Sequence, residues 1–241
     1  MPVVAKFPEE FTSLSPWIDG RTSRTPFHRN TIVTLDMDHM GFIALDRVVF
    51  VHEVADLKAQ SLAAAWHAAH AYVAEACEIV GAPNAAPLLD SEEIEMIRDR
   101  LGPPPAHCYP LYFISVSDQT TGLERLVYIG KTSSSKNRFS GGHAALTKLH
   151  HPDYDGLEKR LYTGAIQLVD KQAYTLPLEA IRPLKDAEQL LRSVEAQLIF
   201  QLRPELNIQA RNRNLSRLPL DFHIQNFVSD FLIDRMIFKE R

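Results

Sequence analysis

The chain has 241 residues, of which 45% are hydrophobic, and a formal net charge of −4. This length is sufficient for one large domain or two small ones, and two cysteines are too few for a disulfide framework or a four-cysteine zinc site. The sequence has no apolar run of membrane-spanning length and no secretory N-terminus, so we expect a cytoplasmic protein with no membrane partner.

The charge is distributed unevenly along the chain. Residues 1–105 hold 8 Lys and Arg against 15 Asp and Glu, whereas residues 106–241 hold 18 against 15. The basic residues of the second half include a cluster at Arg203, Arg211, Arg213 and Arg217. Such a cluster can follow a phosphate backbone, so these arginines are candidate DNA contacts, although ordinary solvated surfaces reach the same density.

The first 105 residues predict a mixed, mainly helical accessory region. An irregular arm precedes β-forming runs at 31–35 and 41–51, which predict a small hairpin. A helical period extends from His52 to Val80, and its alanine-rich face predicts packing against either the second half or a second copy, as in a homodimer. A helix from Ser91 to Leu101 precedes three successive prolines, where we place a domain boundary.

Two short apolar runs after the prolines predict a β-hairpin. They are Tyr109–Val116 and Leu126–Thr132, and the segment between them has the composition of a turn. The pairing would place Tyr112 and Tyr128 on neighbouring strands.

The elements that follow the hairpin complete the predicted fold. They are a helix at 143–150, a strand at 161–170 and a helix at 186–202. For residues 106–210 this order predicts an α/β (α+β) fold, in which a small three-stranded sheet is flanked by helices. The apolar residues of 211–241 predict a C-terminal helical extension that packs on this domain.

Glu195 lies on the apolar face of the last of these helices, four residues after Leu191 and three before Leu198. Carboxylates are rarely buried without a partner. An ion pair with a nearby arginine, hydrogen bonds within the core, or a bound metal ion would each supply one.

The two strand sequences resemble the signature of the GIY-YIG nuclease family. The first contains Pro110-Leu111-Tyr112 and the second Tyr128-Ile129-Gly130-Lys131. Further motif positions of that family follow in order, at Arg138, His143, Glu195 and Asn207. The resemblance covers residues 109–207, with Pro110 in place of the first glycine and His143 one residue further from Arg138 than is usual.

The resemblance implies a DNA endonuclease of the restriction or structure-specific type, which hydrolyses phosphodiester bonds with a divalent metal. Glu195 would hold Mg²⁺ or Mn²⁺, and Arg138 would neutralise the phosphate oxygens. Tyr112 would act as general base or orient the water, assisted by Tyr128, Lys131 and His143, with Gly130 and Asn207 as structural support.

A different class of protein is the alternative. In a catalytically silent nucleic-acid-binding or regulatory module that keeps the fold, the two tyrosines would be ordinary strand aromatics. Arg138 and Glu195 would then form a buried salt bridge.

Overall fold

The computed structural model describes residues 13–31, 33–34, 40–56, 60–132, 144–169, 175–218 and 220–239. The strands are β1 (Met40–Phe50), β2 (Leu111–Ser117), β3 (Glu124–Lys131), β4 (Glu158–Val169), β5 (Thr175–Pro177), β6 (Phe222–Asn226) and β7 (Arg235–Ile237). The α-helices are α1 (Ser15–Ile18), α2 (Leu62–Ile79), α3 (Ser91–Leu101), α4 (Ala144–Lys148) and α5 (Leu184–Leu202), and 3-10 turns lie at Val51–Asp56, Pro152–Tyr154 and Leu178–Ala180. Among the described helices, none combines the length and the apolar composition of a membrane span.

The sheet is larger than the sequence predicts. Within the described ranges it has seven strands in the order β3-β2-β4-β1-β6-β7, with β5 paired to β4, and it curls strongly into a half-barrel. The prediction of an α/β fold with a small three-stranded sheet flanked by helices is therefore wrong, and the fold is mixed α+β.

The central strand β4 explains why the sheet extends. It is 12 residues long and buried through most of its second half. It pairs antiparallel with β2 on one edge and with β1 on the other, and β1 pairs in parallel with β6. These pairings satisfy backbone groups that a three-stranded sheet would leave open at its edge. Because β1 precedes the predicted boundary at residue 105, one sheet contains strands from both sides of it.

Elements that are encoded locally are confirmed. β2 and β3 form the predicted antiparallel hairpin, and the predicted third strand and last helix are present as β4 and α5. The helix predicted from Ser91 to Leu101 is also present, and its N-cap is Asp90. The carboxylate of Asp90 accepts from the Glu93 N–H at 2.9 Å, and the carboxylate of Glu93 accepts from the Asp90 N–H at 3.0 Å.

The predicted C-terminal helix is replaced by strands. Within 220–239 the chain forms β6 and β7, which pair antiparallel with each other. Phe222 and Ile224 are buried, whereas His223 and Gln225 between them are half-buried. This alternation is typical of a strand with one buried face and not of a helix.

Two predictions for the first half also differ from the structure. Val33 forms a bridge with Ile181, so the described residues do not form the predicted hairpin around position 36. The helix predicted from His52 begins only at Leu62, after a 3-10 turn, where the Ser61 hydroxyl accepts from the Ala64 N–H at 3.2 Å.

The two faces of the hairpin belong to different apolar clusters. Phe113 and Ile129 pack with Val194 and Leu198 of α5. On the opposite face, Tyr112 packs in a cluster that contains Ala145, Leu149 and Tyr154. A third cluster joins α1, α2 and α3. Helix α5 and the short helix α4 therefore cover opposite faces of β2.

Asp46 lies at a bulge in β1, between Leu45 and Arg47. Its Oδ2 accepts a hydrogen bond from the Tyr109 hydroxyl at 3.1 Å, and its buried Oδ1 has no hydrogen-bond partner in the described part of the chain. Burial raises the pKa of Asp46 to about 6. Between about pH 4 and pH 6 the folded protein therefore keeps the Asp46 proton, whereas the unfolded chain releases it. The stability of the fold falls as the pH rises through this window and stays lower above it.

Replacing Asp46 by Asn is expected to stabilise the protein at high pH, because the amide cannot ionise. The gain should be about 2 kcal/mol at pH 8 and should vanish near pH 4. Urea unfolding of both proteins across this range measures it. Asp118→Asn should act in the opposite direction, because the Thr120 N–H, 2.7 Å from the carboxylate, lowers the pKa of Asp118. A pH-independent effect of Asp46→Asn would contradict the assignment.

Candidate active site

Two tyrosines and a glycine interlock on the hairpin. Tyr112 on β2 lies directly opposite Gly130 on β3, and the rings of Tyr112 and Tyr128 are stacked with centroids 6.0 Å apart. A Cβ atom at Gly130 would lie 2.3 Å from the Tyr112 hydroxyl oxygen and 2.8 Å from Cε1 of Tyr128. The glycine therefore provides the space in which the Tyr112 hydroxyl lies. Tyr112 is 1% exposed, whereas Tyr128 is half-buried and more accessible.

Lys131 and Glu195 form an ion pair at the end of β3. Nζ of Lys131 contacts Oε2 of Glu195, and the two side chains are 24% and 18% exposed. Of the three partners considered for Glu195, the structure shows an ion pair, but with a lysine instead of an arginine. The lysine is 64 residues away in sequence, so no local pattern indicated it.

The tyrosines and the ion pair lie at the same end of β3 but on different faces of the sheet. Tyr112 belongs to the apolar cluster on the α4 side, whereas α5, which carries Glu195, packs on the other face of the sheet. Gly130 and Lys131 are consecutive, so their side-chain directions alternate. A substrate that contacts both groups would have to reach both faces of the sheet, past the outer edge of β3.

Asn207 closes this outer edge. Its side chain is buried, its Oδ1 accepts from the Ile129 N–H at 2.9 Å, and its Nδ2 donates to the Ile129 carbonyl at 2.9 Å. The Leu206 N–H donates to the Val127 carbonyl, also at 2.9 Å. The amide thus occupies the backbone groups that a neighbouring strand would use, which is the geometry that a supporting role requires.

Three residues that sequence reasoning missed fix the segment around Asn207. Glu205 forms an ion pair with Arg125 on β3, and its Oε1 accepts from the Tyr154 hydroxyl at 2.8 Å. Burial, followed by the neighbouring Glu205 carboxylate, raises the pKa of Tyr154 to about 12. These residues come from separate parts of the chain, and each is unremarkable in its own sequence context.

The remaining predicted site residues are dispersed. Arg138 and His143 lie outside the described residues. Arg203 is exposed and ends α5 in the left-handed conformation, with φ of 48°. Arg211 donates to the Glu205 carbonyl at 3.4 Å, and Arg213 and Arg217 are exposed. These arginines flank the segment that Asn207 attaches to β3.

Glu195 is the one carboxylate of the predicted site. Among the described residues, no group of three or more His, Cys, Asp or Glu side chains is arranged to hold a metal ion. A single carboxylate nevertheless fits Mg²⁺, which is commonly bound by one or two carboxylates while water and substrate phosphates complete its shell.

Comparisons with protein-family models, with curated proteins and with solved structures found no match to this chain. The chemistry of the site therefore has to be argued from its own geometry.

Proposed function

We propose that this protein is a divalent-metal-dependent DNA endonuclease that hydrolyses phosphodiester bonds. The observation that carries the proposal is the composition of one strand end. Tyr128, Gly130 and Lys131 lie within the last four residues of β3, where the stacked Tyr112 lies on one face of the sheet and the Lys131–Glu195 ion pair on the other. A core that needed only stability would gain little from placing two tyrosine hydroxyls and a partly buried ion pair at one strand end.

The groups match what phosphodiester hydrolysis requires. An attacking water must be oriented and deprotonated, and the charge that develops on the phosphate must be neutralised. Tyr112 and Tyr128 supply hydroxyls for the first task, and Lys131 supplies a positive charge for the second. Arg138 and His143 take the roles that the family resemblance gives them. Glu195 would hold the Mg²⁺ ion, which supplies further charge neutralisation at the phosphate when bound.

The surroundings of β3 support DNA as the substrate. Along the chain, Arg203 precedes the segment that Asn207 attaches to the strand edge, and Arg211, Arg213 and Arg217 follow it. A duplex or single strand that lies along this segment could place its phosphates beside these arginines.

One contact favours the second candidate, a nucleic-acid-binding module without catalysis. The Lys131–Glu195 pair satisfies both charges without any metal. In a silent module this pair would be purely structural, and replacing it would change folding stability and leave nucleic-acid binding intact.

Cleavage assays separate the two candidates. We expect the protein to nick or linearise supercoiled plasmid, branched DNA or single-stranded DNA in Mg²⁺, and we expect EDTA to abolish the activity. Equal cleavage in EDTA would reject the metal dependence. Retarded migration of these DNAs on a gel without cleavage in Mg²⁺ or Mn²⁺ would favour the binding module.

A further inference from the structure

The Lys131–Glu195 pair has a consequence for how a cation enters the site. Glu195 lies on the buried side of α5, between the turns of Leu191 and Leu198, and its side chain is only 18% exposed. Oε2 of that carboxylate is in contact with the ammonium of Lys131. A half-buried carboxylate without a positive neighbour is costly, so Lys131 stabilises the site in its metal-free form.

A divalent cation bound to Glu195 would occupy the position that the Lys131 ammonium holds against the carboxylate. Both bind to carboxylate oxygens at short range, and like charges repel strongly where water is partly excluded. Lys131 is also the last residue of an edge strand, so a change in its side-chain torsions moves Nζ without moving the backbone. The ammonium can therefore leave Oε2 while β3 stays in place.

We infer that Lys131 is a built-in competitor of the divalent cation at Glu195. Binding of the cation displaces Nζ from the carboxylate and frees the ammonium for a substrate phosphate. In the absence of the cation, the same ammonium keeps Glu195 neutralised. This inference rests on the proposed function only in taking Glu195 as the cation ligand, since it requires no cleavage.

Titration calorimetry with Mn²⁺ in the absence of DNA tests the inference. The repulsion between an ammonium and a cation about 4 Å apart corresponds to roughly tenfold in affinity where water is partly excluded. Lys131→Met is therefore expected to bind Mn²⁺ about tenfold more tightly than the wild type. Lys131→Gln serves the same purpose if the Met variant does not fold, as checked by circular dichroism.

Two further variants make the measurement specific. Lys185→Met removes an exposed ammonium from the same helix, ten residues before Glu195, and should change the Mn²⁺ affinity by less than about twofold. Glu195→Gln, alone or combined with Lys131→Met, should lose the binding. Unchanged or weaker Mn²⁺ binding in both Lys131 variants would overturn the inference, and so would binding that survives Glu195→Gln.

The outcome is independent of the cleavage assay. If the protein never cuts DNA but its Lys131→Met variant binds Mn²⁺ more tightly, the competition is supported and the proposed function is rejected. If the protein cuts DNA but wild type and Lys131→Met bind Mn²⁺ equally, the proposed function is supported and the competition is rejected.

Discussion

Replacing Glu195 by Gln is expected to lower the rate of DNA cleavage by about 10³-fold, because the charge neutralisation that a metal supplies at a phosphate amounts to several kcal/mol of transition-state stabilisation. Gln keeps the volume of Glu and an oxygen that can accept from Lys131, so the fold should persist. Initial rates of plasmid nicking at saturating Mg²⁺ measure the effect, and thermal melting confirms that the variant is folded.

A carboxylate on the exposed side of the same helix provides the control. Glu188 is 50% exposed and lies 3.7 Å from Arg192 one turn further along α5. Glu188→Gln removes the same charge from the same helix without touching β3, so its cleavage rate should stay within about twofold of the wild type. Full activity of Glu195→Gln would remove Glu195 from the mechanism and move the metal site elsewhere.

The elements that sequence could predict are those whose pattern is complete within a short stretch. The β2–β3 hairpin and α5 each carry their own periodicity, and the structure confirms them. The partners of β4 could not be predicted in this way. Its pairing with β1 joins Met40 to Val169 across more than half of the chain, and nothing in either strand specifies the other beyond general β-propensity.

In the candidate site, too, the features set by local sequence could be predicted and those set by long-range packing could not. The hairpin register follows from local pattern and brings Tyr112 opposite Gly130. Lys131 as the partner of Glu195 depends on how α5 packs against β3, and the anchoring of Glu205 by Arg125 and Tyr154 depends on three separate segments. Only the anomaly of a carboxylate on an apolar face was visible in sequence, and it indicated that a partner was needed without identifying it.

Replacing Gly130 by Ala is expected to lower cleavage by at least about 100-fold, comparable to losing a positioned acid–base group, and to destabilise the protein by about 1–3 kcal/mol. The added methyl group would lie 2.3 Å from the Tyr112 hydroxyl oxygen and 2.4 Å from its Cζ, closer than atoms can approach. Tyr112 is 1% exposed, so its ring has little room to move away. Either the ring rotates out of its stack with Tyr128 or the hairpin separates at this position.

Two comparisons separate displacement of the tyrosines from general strain. Gly164→Ala adds a methyl group to β4 beside Phe113, Ile43 and Leu45, at 3.2–3.3 Å, in the apolar cluster that does not contain Tyr112. It should lower the melting temperature but leave the cleavage rate of the folded protein near that of the wild type.

Tyr112→Phe should lower the cleavage rate by about 100-fold and retain the wild-type fold, because it removes only the hydroxyl. If Gly130→Ala cleaves normally while folded, the position of the Tyr112 hydroxyl over Gly130 has no part in the reaction, and Tyr128 would be the tyrosine to test next.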